Sequence, residues 1–261
     1  MRKNGAAKCK LLLFYKGGFS LYLKTVHLLH ENITDYNTYP FAIPTIRTLE
    51  KLSFTNAVTF FVGENGSGKS TLLEAIADCC EFNVAGGGRN NQYDVHAAES
   101  ALGPLLRLSW MPKINNGFFL RAESFYQFAS YLDKLQDEDP RTLDSYGGKS
   151  LHEQSHGESF LSLFNNRFNG KAIYLLDEPE AALSPQRQLA LLKIMHDLVV
   201  EGSQFIIATH SPILLGFPNA TIYHFEETIE EIAYDDVPHV QLTKYFLSNK
   251  DRFLQQLLHD E

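Results

Sequence analysis

Cysteine is scarce in this chain, and so are surplus positive charge and long apolar runs. Three cysteines in 261 residues, two of them the neighbours Cys79 and Cys80, give no disulfide framework and point to a reducing cytoplasm. The 23 Lys and Arg stand against 31 Asp and Glu, a formal net charge of −8. That balance argues against a protein whose whole surface grips nucleic acid and leaves room only for a local basic groove. No apolar stretch reaches the roughly 18 residues that cross a bilayer, and residues 11–15 are too short for a secretory signal core. A soluble chain without a transmembrane segment is therefore expected. With 44% hydrophobic residues there is enough apolar material for one large α/β domain, and a second independent core is not expected.

One stretch organises the rest. Residues 57–62 (AVTFFV) are the apolar, β-branched and aromatic run of a strand buried on both faces, and Gly63 breaks it. From Lys69 the period becomes helical, with Leu72, Ile76 and Cys80 on one stripe. Between them lies Gly63-Glu64-Asn65-Gly66-Ser67-Gly68-Lys69-Ser70, followed by Thr71, the pattern of a phosphate-binding loop. Its glycines let the backbone turn and approach a polyphosphate, so that the N–H groups of residues 65–70 and the helix dipole face the anion. Lys69 is placed to bridge the β- and γ-phosphates, and the Ser70 hydroxyl to take one position on Mg²⁺.

Along the chain, residues 1–18 show no sustained period and read as a loosely ordered extension. Residues 20–29 read as a strand. Residues 39–47 read as a second, edge-confined extended segment because of Pro40 and Pro44. Tyr39 or Phe41 could stack on an adenine there, with core or edge packing as the alternative. The glycine-rich residues 83–100 read as a mobile surface loop, and residues 106–110 and 118–121 as a hairpin around Asn116-Gly117. Phe125, Phe128, Ala129, Leu132 and Leu135 mark a core-packing helix; residues 136–153 read as flexible. Ser155 then introduces a helix with Phe160, Phe164 and Phe168. An apolar strand delivers Asp177-Glu178, Ser184 and Pro185 start the next helix, and a further apolar strand ends at Thr209-His210. Strands alternating with helices imply a parallel α/β sheet whose carboxyl ends hold the ligand.

Three strand ends thus present complementary chemistry. Asp177 can hold a Mg²⁺ already bound by Ser70, Glu178 can orient or deprotonate a water, and His210 can contact a γ-phosphate. Alone, each acid would read as a solvated turn residue and the histidine as a satisfied strand end.

In this order the motifs resemble the ABC-type ATPases, and among them the soluble, AAA-type branch related to the heads of SMC and RecF proteins. The resemblance covers residues 58–225. Residues 63–70 match Walker A; Leu175-Leu176-Asp177-Glu178-Pro179 match Walker B; Ala181-Ala182-Leu183-Ser184-Pro185 look like the D-loop, and Thr209-His210-Ser211 like the switch histidine. Ser155-His156-Gly157-Glu158 stands where the family has Leu-Ser-Gly-Gly-Gln, with Glu158 replacing the second glycine. The Q-loop glutamine is also missing; Glu123 is the candidate for its metal-proximal role, with a helix-capping acid as the alternative.

The resemblance implies an α/β P-loop NTPase fold, an ABC-ATPase head with a parallel core sheet, an N-terminal antiparallel β-layer and a helical subregion at about residues 83–170. Residues 19–261 would form one domain, without the long coiled-coil arms of SMC heads. It implies ATP and Mg²⁺ as ligands, Glu178 and His210 as catalytic residues, and an ATP-dependent homodimer in which Ser155 and Gly157 touch the partner's nucleotide. Alternatives are the nucleotide-binding subunit of a transporter, a nucleic-acid clamp in repair or defence, and a small-molecule kinase.

Overall fold

The computed structural model describes residues 21–84, 86–89, 100–138, 141–153 and 156–258. The expectation for residues 1–18 and the signature residue Ser155 lie outside them. In chain order the regular elements are β1 (Leu23–Leu28), α1 (Pro44–Arg47), β2 (Lys51–Ser53), β3 (Val58–Gly63), α2 (Lys69–Cys79), β4 (Leu106–Trp110), β5 (Gly117–Arg121), α3 (Phe125–Glu138), α4 (His156–Arg167), β6 (Ile173–Asp177), α5 (Pro185–Val200), β7 (Gln204–Ala208), β8 (Thr221–Phe225), β9 (Ile229–Glu231), α6 (Pro238–Ser248) and α7 (Lys250–Leu258).

The apolar runs that lack alternation become the centre of a six-stranded sheet, ordered β5-β6-β7-β3-β8-β9. Its first five strands are parallel, and β9 closes the edge antiparallel. Both faces are buried, so successive side chains enter different cores. Phe60, Val62, Tyr174, Leu176, Phe205 and Ile207 point into a core shared with α3, α4 and α5. Phe61, Ile173, Leu175, Ile206 and Ala208 point into a second core with α2 and β1. There a three-stranded antiparallel sheet, β2-β1-β4, forms the outer layer. The register sets Gly63 beside Phe225 and Asp177 beside Ala208, so the carboxyl ends of β3, β6 and β7 form one rim.

Several local expectations are corrected. Residues 39–47 are not an extended edge: Pro44 takes the first position of the short helix α1, where its fixed φ and missing N–H cost nothing. Strands β4 and β5 are not a hairpin, because β4 pairs with β1 and β5 with β6. Gly117 opens β5, and a Cβ on it would sit 2.2 Å from the Ile173 carbonyl oxygen; close strand approach, not a turn, requires glycine there. Within residues 83–100, described Gly87 exchanges two backbone hydrogen bonds with Phe119 along β5 (2.7 and 3.0 Å), so that part is not a free surface loop. Within 136–153, two short 3₁₀ turns, Thr142–Tyr146 and Leu151–Glu153, bury Leu143, Tyr146 and Leu151 in the first core. Three spaced apolar anchors suffice to hold a polar segment down.

Candidate functional site at the carboxyl rim of the parallel sheet

The phosphate loop connects β3 to α2 as its glycines demand. Gly63 has φ +144°, and a Cβ there would meet the Phe225 carbonyl oxygen at 2.2 Å. Gly68, at φ +96°, caps α2 from the left-handed region. From outside, Thr45 of α1 is fully buried and donates its hydroxyl to the Ser67 carbonyl. Lys69 is 4% exposed, and its ammonium donates to the carbonyls of Gly63 (2.7 Å) and Glu64 (2.8 Å). Burial pushes its pKa down, opposed by Glu178, Asp177, Glu64 and Glu180.

The Ser70 hydroxyl donates to Asp177 Oδ1 at 2.9 Å, joining the first turn of α2 to the end of β6. A hydroxyl and a carboxylate are hard oxygen donors that suit Mg²⁺. Among the described residues no group of three or more His, Cys, Asp or Glu side chains could hold a metal ion by itself. Asp177 is buried, and burial raises its carboxyl to about pKa 6 against the pull of Ser70 and Arg121.

Arg121 is the neighbour that sequence reasoning missed. Lying at the end of β5, it pairs with Glu74, stands 3.6 Å from Asp177 Oδ2 through Nε, and meets Glu123 at 3.5 Å. Glu123 is 79% exposed and, among the described residues, reaches the Ser70–Asp177 pair through this guanidinium. The register that sets Arg121 opposite Asp177 is long-range pairing, which no local sequence signal announces.

Glu178 has φ +50°, a left-handed conformation uncommon for a residue with a side chain, and its N–H donates to the Ala208 carbonyl at 2.9 Å. This bend leaves the carboxylate partly exposed, 3.8 Å from His210 Nε2. His210 is held by its backbone: its N–H donates to Glu180 Oε1 at 2.5 Å, while Glu180 is buried enough to raise its pKa. Gln188 links the D-loop-like turn to this segment, donating to the Leu183 carbonyl (3.0 Å) and accepting from the Ser211 hydroxyl.

Gly157 lies in the first turn of α4, where a Cβ would meet Arg187 Nη1 at 2.3 Å. Glu158 pairs with the same arginine at 3.3 Å, so the acid replacing the family's second glycine has its charge countered by α5. Tyr39 is exposed and its hydroxyl lies 3.1 Å from that of Thr71, while Phe41 packs on the second core. Burial raises the Cys79 thiol pKa to about 11 and so favours its protonated form.

Comparison with known proteins agrees with this fold. An AAA domain family matches residues 40–139, and an AAA ATPase domain family matches residues 153–215. The chain is 31% identical to the macrolide export ATP-binding/permease protein MacB of Bradyrhizobium diazoefficiens over 180 residues, 62% of this chain and 27% of that protein. It is 24% identical to the vitamin B12 import ATP-binding protein BtuD of Vibrio atlanticus over 66% of this chain and 73% of that one. The fold matches cbiO1 of Clostridium perfringens, part of the ABC transporter complex cbiONQ. That match has a TM-score of 0.51 and 18% identity, over 88% of this chain and 97% of that one. The family matches and the relatives support an ABC-type AAA ATPase.

The buried Asp177 carboxylate makes a testable contribution before any ligand binds. Its folded pKa of about 6 lies above its ordinary 3.8, so its share of stability is fully present below the ordinary value and is lost as pH rises through about 6. The difference is on the order of 3 kcal/mol, reduced in a swap to Asn because Arg121 then loses one carboxylate. Asp177→Asn is expected to raise the nucleotide-free Tm by a few degrees above about pH 7 and to leave it unchanged below about pH 4. The same variant is expected to lose the strengthening of ATP binding by Mg²⁺. Melting curves across pH in EDTA, with ATP titrations with and without Mg²⁺, check both.

Proposed function

We propose that this chain binds ATP with Mg²⁺ and hydrolyses it as a soluble, cytoplasmic nucleotide switch of the SMC/RecF-like kind, two copies closing around the nucleotides. In this reading residues 19–261 act as one ATPase domain, with residues 83–170 as its helical subregion. The observation that carries it is the convergence of Lys69, the Ser70–Asp177 pair, Glu178 and His210 on one rim, from β3, β6 and β7.

Lys69 and the loop N–H groups around Gly63 to Thr71, with Glu64, Asn65, Gly66, Ser67 and Gly68 shaping the path, would hold the phosphates. Mg²⁺ on Ser70 and Asp177 would offset phosphate charge. Glu178 accepts a proton from water, and His210, steadied by Glu180, faces the same space. Glu123 would act on the metal region through Arg121.

Ser155 and Gly157 would serve the nucleotide of a second copy: α4 leads back into β6, and a helix N-terminus suits a phosphate that arrives from outside. Ser155→Arg and Lys69→Ala should each be inactive as homodimers, while mixing them should restore part of the activity through one intact composite site. No recovery on mixing, together with a Ser155→Arg protein that turns over normally, would end the shared-site reading.

A second reading, the nucleotide-binding subunit of a transporter, is favoured by the likeness to the export protein MacB and the import protein BtuD. Co-purification with an integral membrane protein would support it over the free-standing switch.

A further inference from the structure

Helix α6 brings a residue to the phosphate end of the site that none of the motifs contains. We propose that His239 is a second histidine for the terminal phosphate of the bound nucleoside triphosphate, acting beside His210; this rests on the nucleotide reading above.

The segment that carries His239 is fastened to the switch segment. The Tyr234 hydroxyl donates to the Pro212 carbonyl at 3.0 Å, two residues past His210. The Ile232 N–H donates to the Ile222 carbonyl of β8 at 2.9 Å. Val237 and Val240, on either side of His239, are fully buried in the first core, the one that also holds Leu214 and Leu215. His239 therefore has little freedom of position. Its ring centroid lies 5.9 Å from that of His210.

Both rings have an Nε2 that is enclosed and lacks a hydrogen-bond partner among the described residues. Ser67 Oγ of the phosphate loop is in the same condition. Enclosed polar atoms normally find partners, so three such atoms around one rim point to a ligand that supplies hydrogen bonds on all sides. His239 also feels the loop electrically: burial and then His210 push its pKa down, His224 and Lys69 act in the same direction, and Glu64 opposes them. A neutral imidazole can donate its Nε2 proton to a phosphate oxygen. An ADP-bound site would lack that oxygen, so His239 should favour ATP over ADP.

The test compares His239→Phe, which keeps an aromatic ring against His210 and removes the donor, with His239→Gln, which keeps a donor of similar reach. Equilibrium binding of ATP and ADP is measured in Mg²⁺ for both variants, wild type and Lys69→Ala, with melting curves alongside. The expected result is an ATP affinity about 10-fold weaker in His239→Phe with ADP affinity within about two-fold of wild type, and most of the ATP preference regained in His239→Gln. An unchanged ratio of ATP to ADP affinity, or an equal loss for both nucleotides, would overturn the proposal and leave His239 a packing residue. If wild type binds neither nucleotide, or Lys69→Ala binds both normally, the nucleotide reading itself fails and takes this inference with it.

Discussion

Glu178→Gln is expected to lower ATP turnover by at least about 100-fold while ATP and Mg²⁺ binding stay within a few-fold of wild type, so that the protein accumulates in its ATP-bound state. The reason lies in the division of labour between neighbouring acids. Asp177 is 4% exposed and engaged by Ser70 and Arg121, and Glu180 is half-buried and spent on the His210 N–H. Glu178 alone of the three has a carboxylate turned into the open rim, 43% exposed, by a backbone in the left-handed region. A glutamine keeps the shape and the backbone bond to Ala208 but cannot accept a proton from water. General-base removal costs about 10²–10⁴ in rate. Single-turnover hydrolysis and nucleotide retention after gel filtration measure the two effects. Turnover within a few-fold of wild type would make Glu178 a structural acid and move the search to Glu180 and Glu123.

Lys69→Ala is expected to weaken ATP binding by about 100-fold or more, since two charge-assisted contacts with phosphate are worth about 1.5–3 kcal/mol each. In the nucleotide-free protein the ammonium is buried and bonded to two loop carbonyls, so its charge is costly where it lies. A nucleotide would replace those neutral acceptors with anionic oxygens, and the full benefit of the charge appears only then. Loss of the lysine also leaves the Gly63 and Glu64 carbonyls short of a donor, a modest stability cost. Lys69→Met keeps the apolar stem and separates the two effects: its Tm should stay closer to wild type while its ATP affinity falls as far as in the alanine variant. Calorimetric titration beside melting curves decides it. ATP affinity within a few-fold of wild type in either variant would remove the phosphate-loop assignment.

The local code of the chain determined the loop, the strands on either side of it and the identities of the acids and the histidine. A run such as residues 58–62 has no polar face, so it can only lie inside a sheet covered on both sides, and glycine at 63 and 68 is required by backbone geometry wherever the chain goes afterwards. The helix start at Ser184 and Pro185 was legible for the same reason, since capping uses only nearest neighbours; the Ser184 hydroxyl accepts from the Arg187 N–H.

What tertiary structure decided is pairing and neighbourhood. Strands β4 and β5 follow each other across the Asn116-Gly117 turn signal, yet long-range pairing sends them to different sheets, because β5 finds the buried edge of β6 and β4 the side of β1. Arg121 reaches Asp177 across 56 positions of sequence through one register. His239 reaches His210 only because Val237 and Val240 drive α6 into the core and Tyr234 ties it to Pro212. Propensity and spacing act over a turn or two of chain. Which ends of which strands meet is settled by burying two apolar faces at once, and no local pattern carries that information.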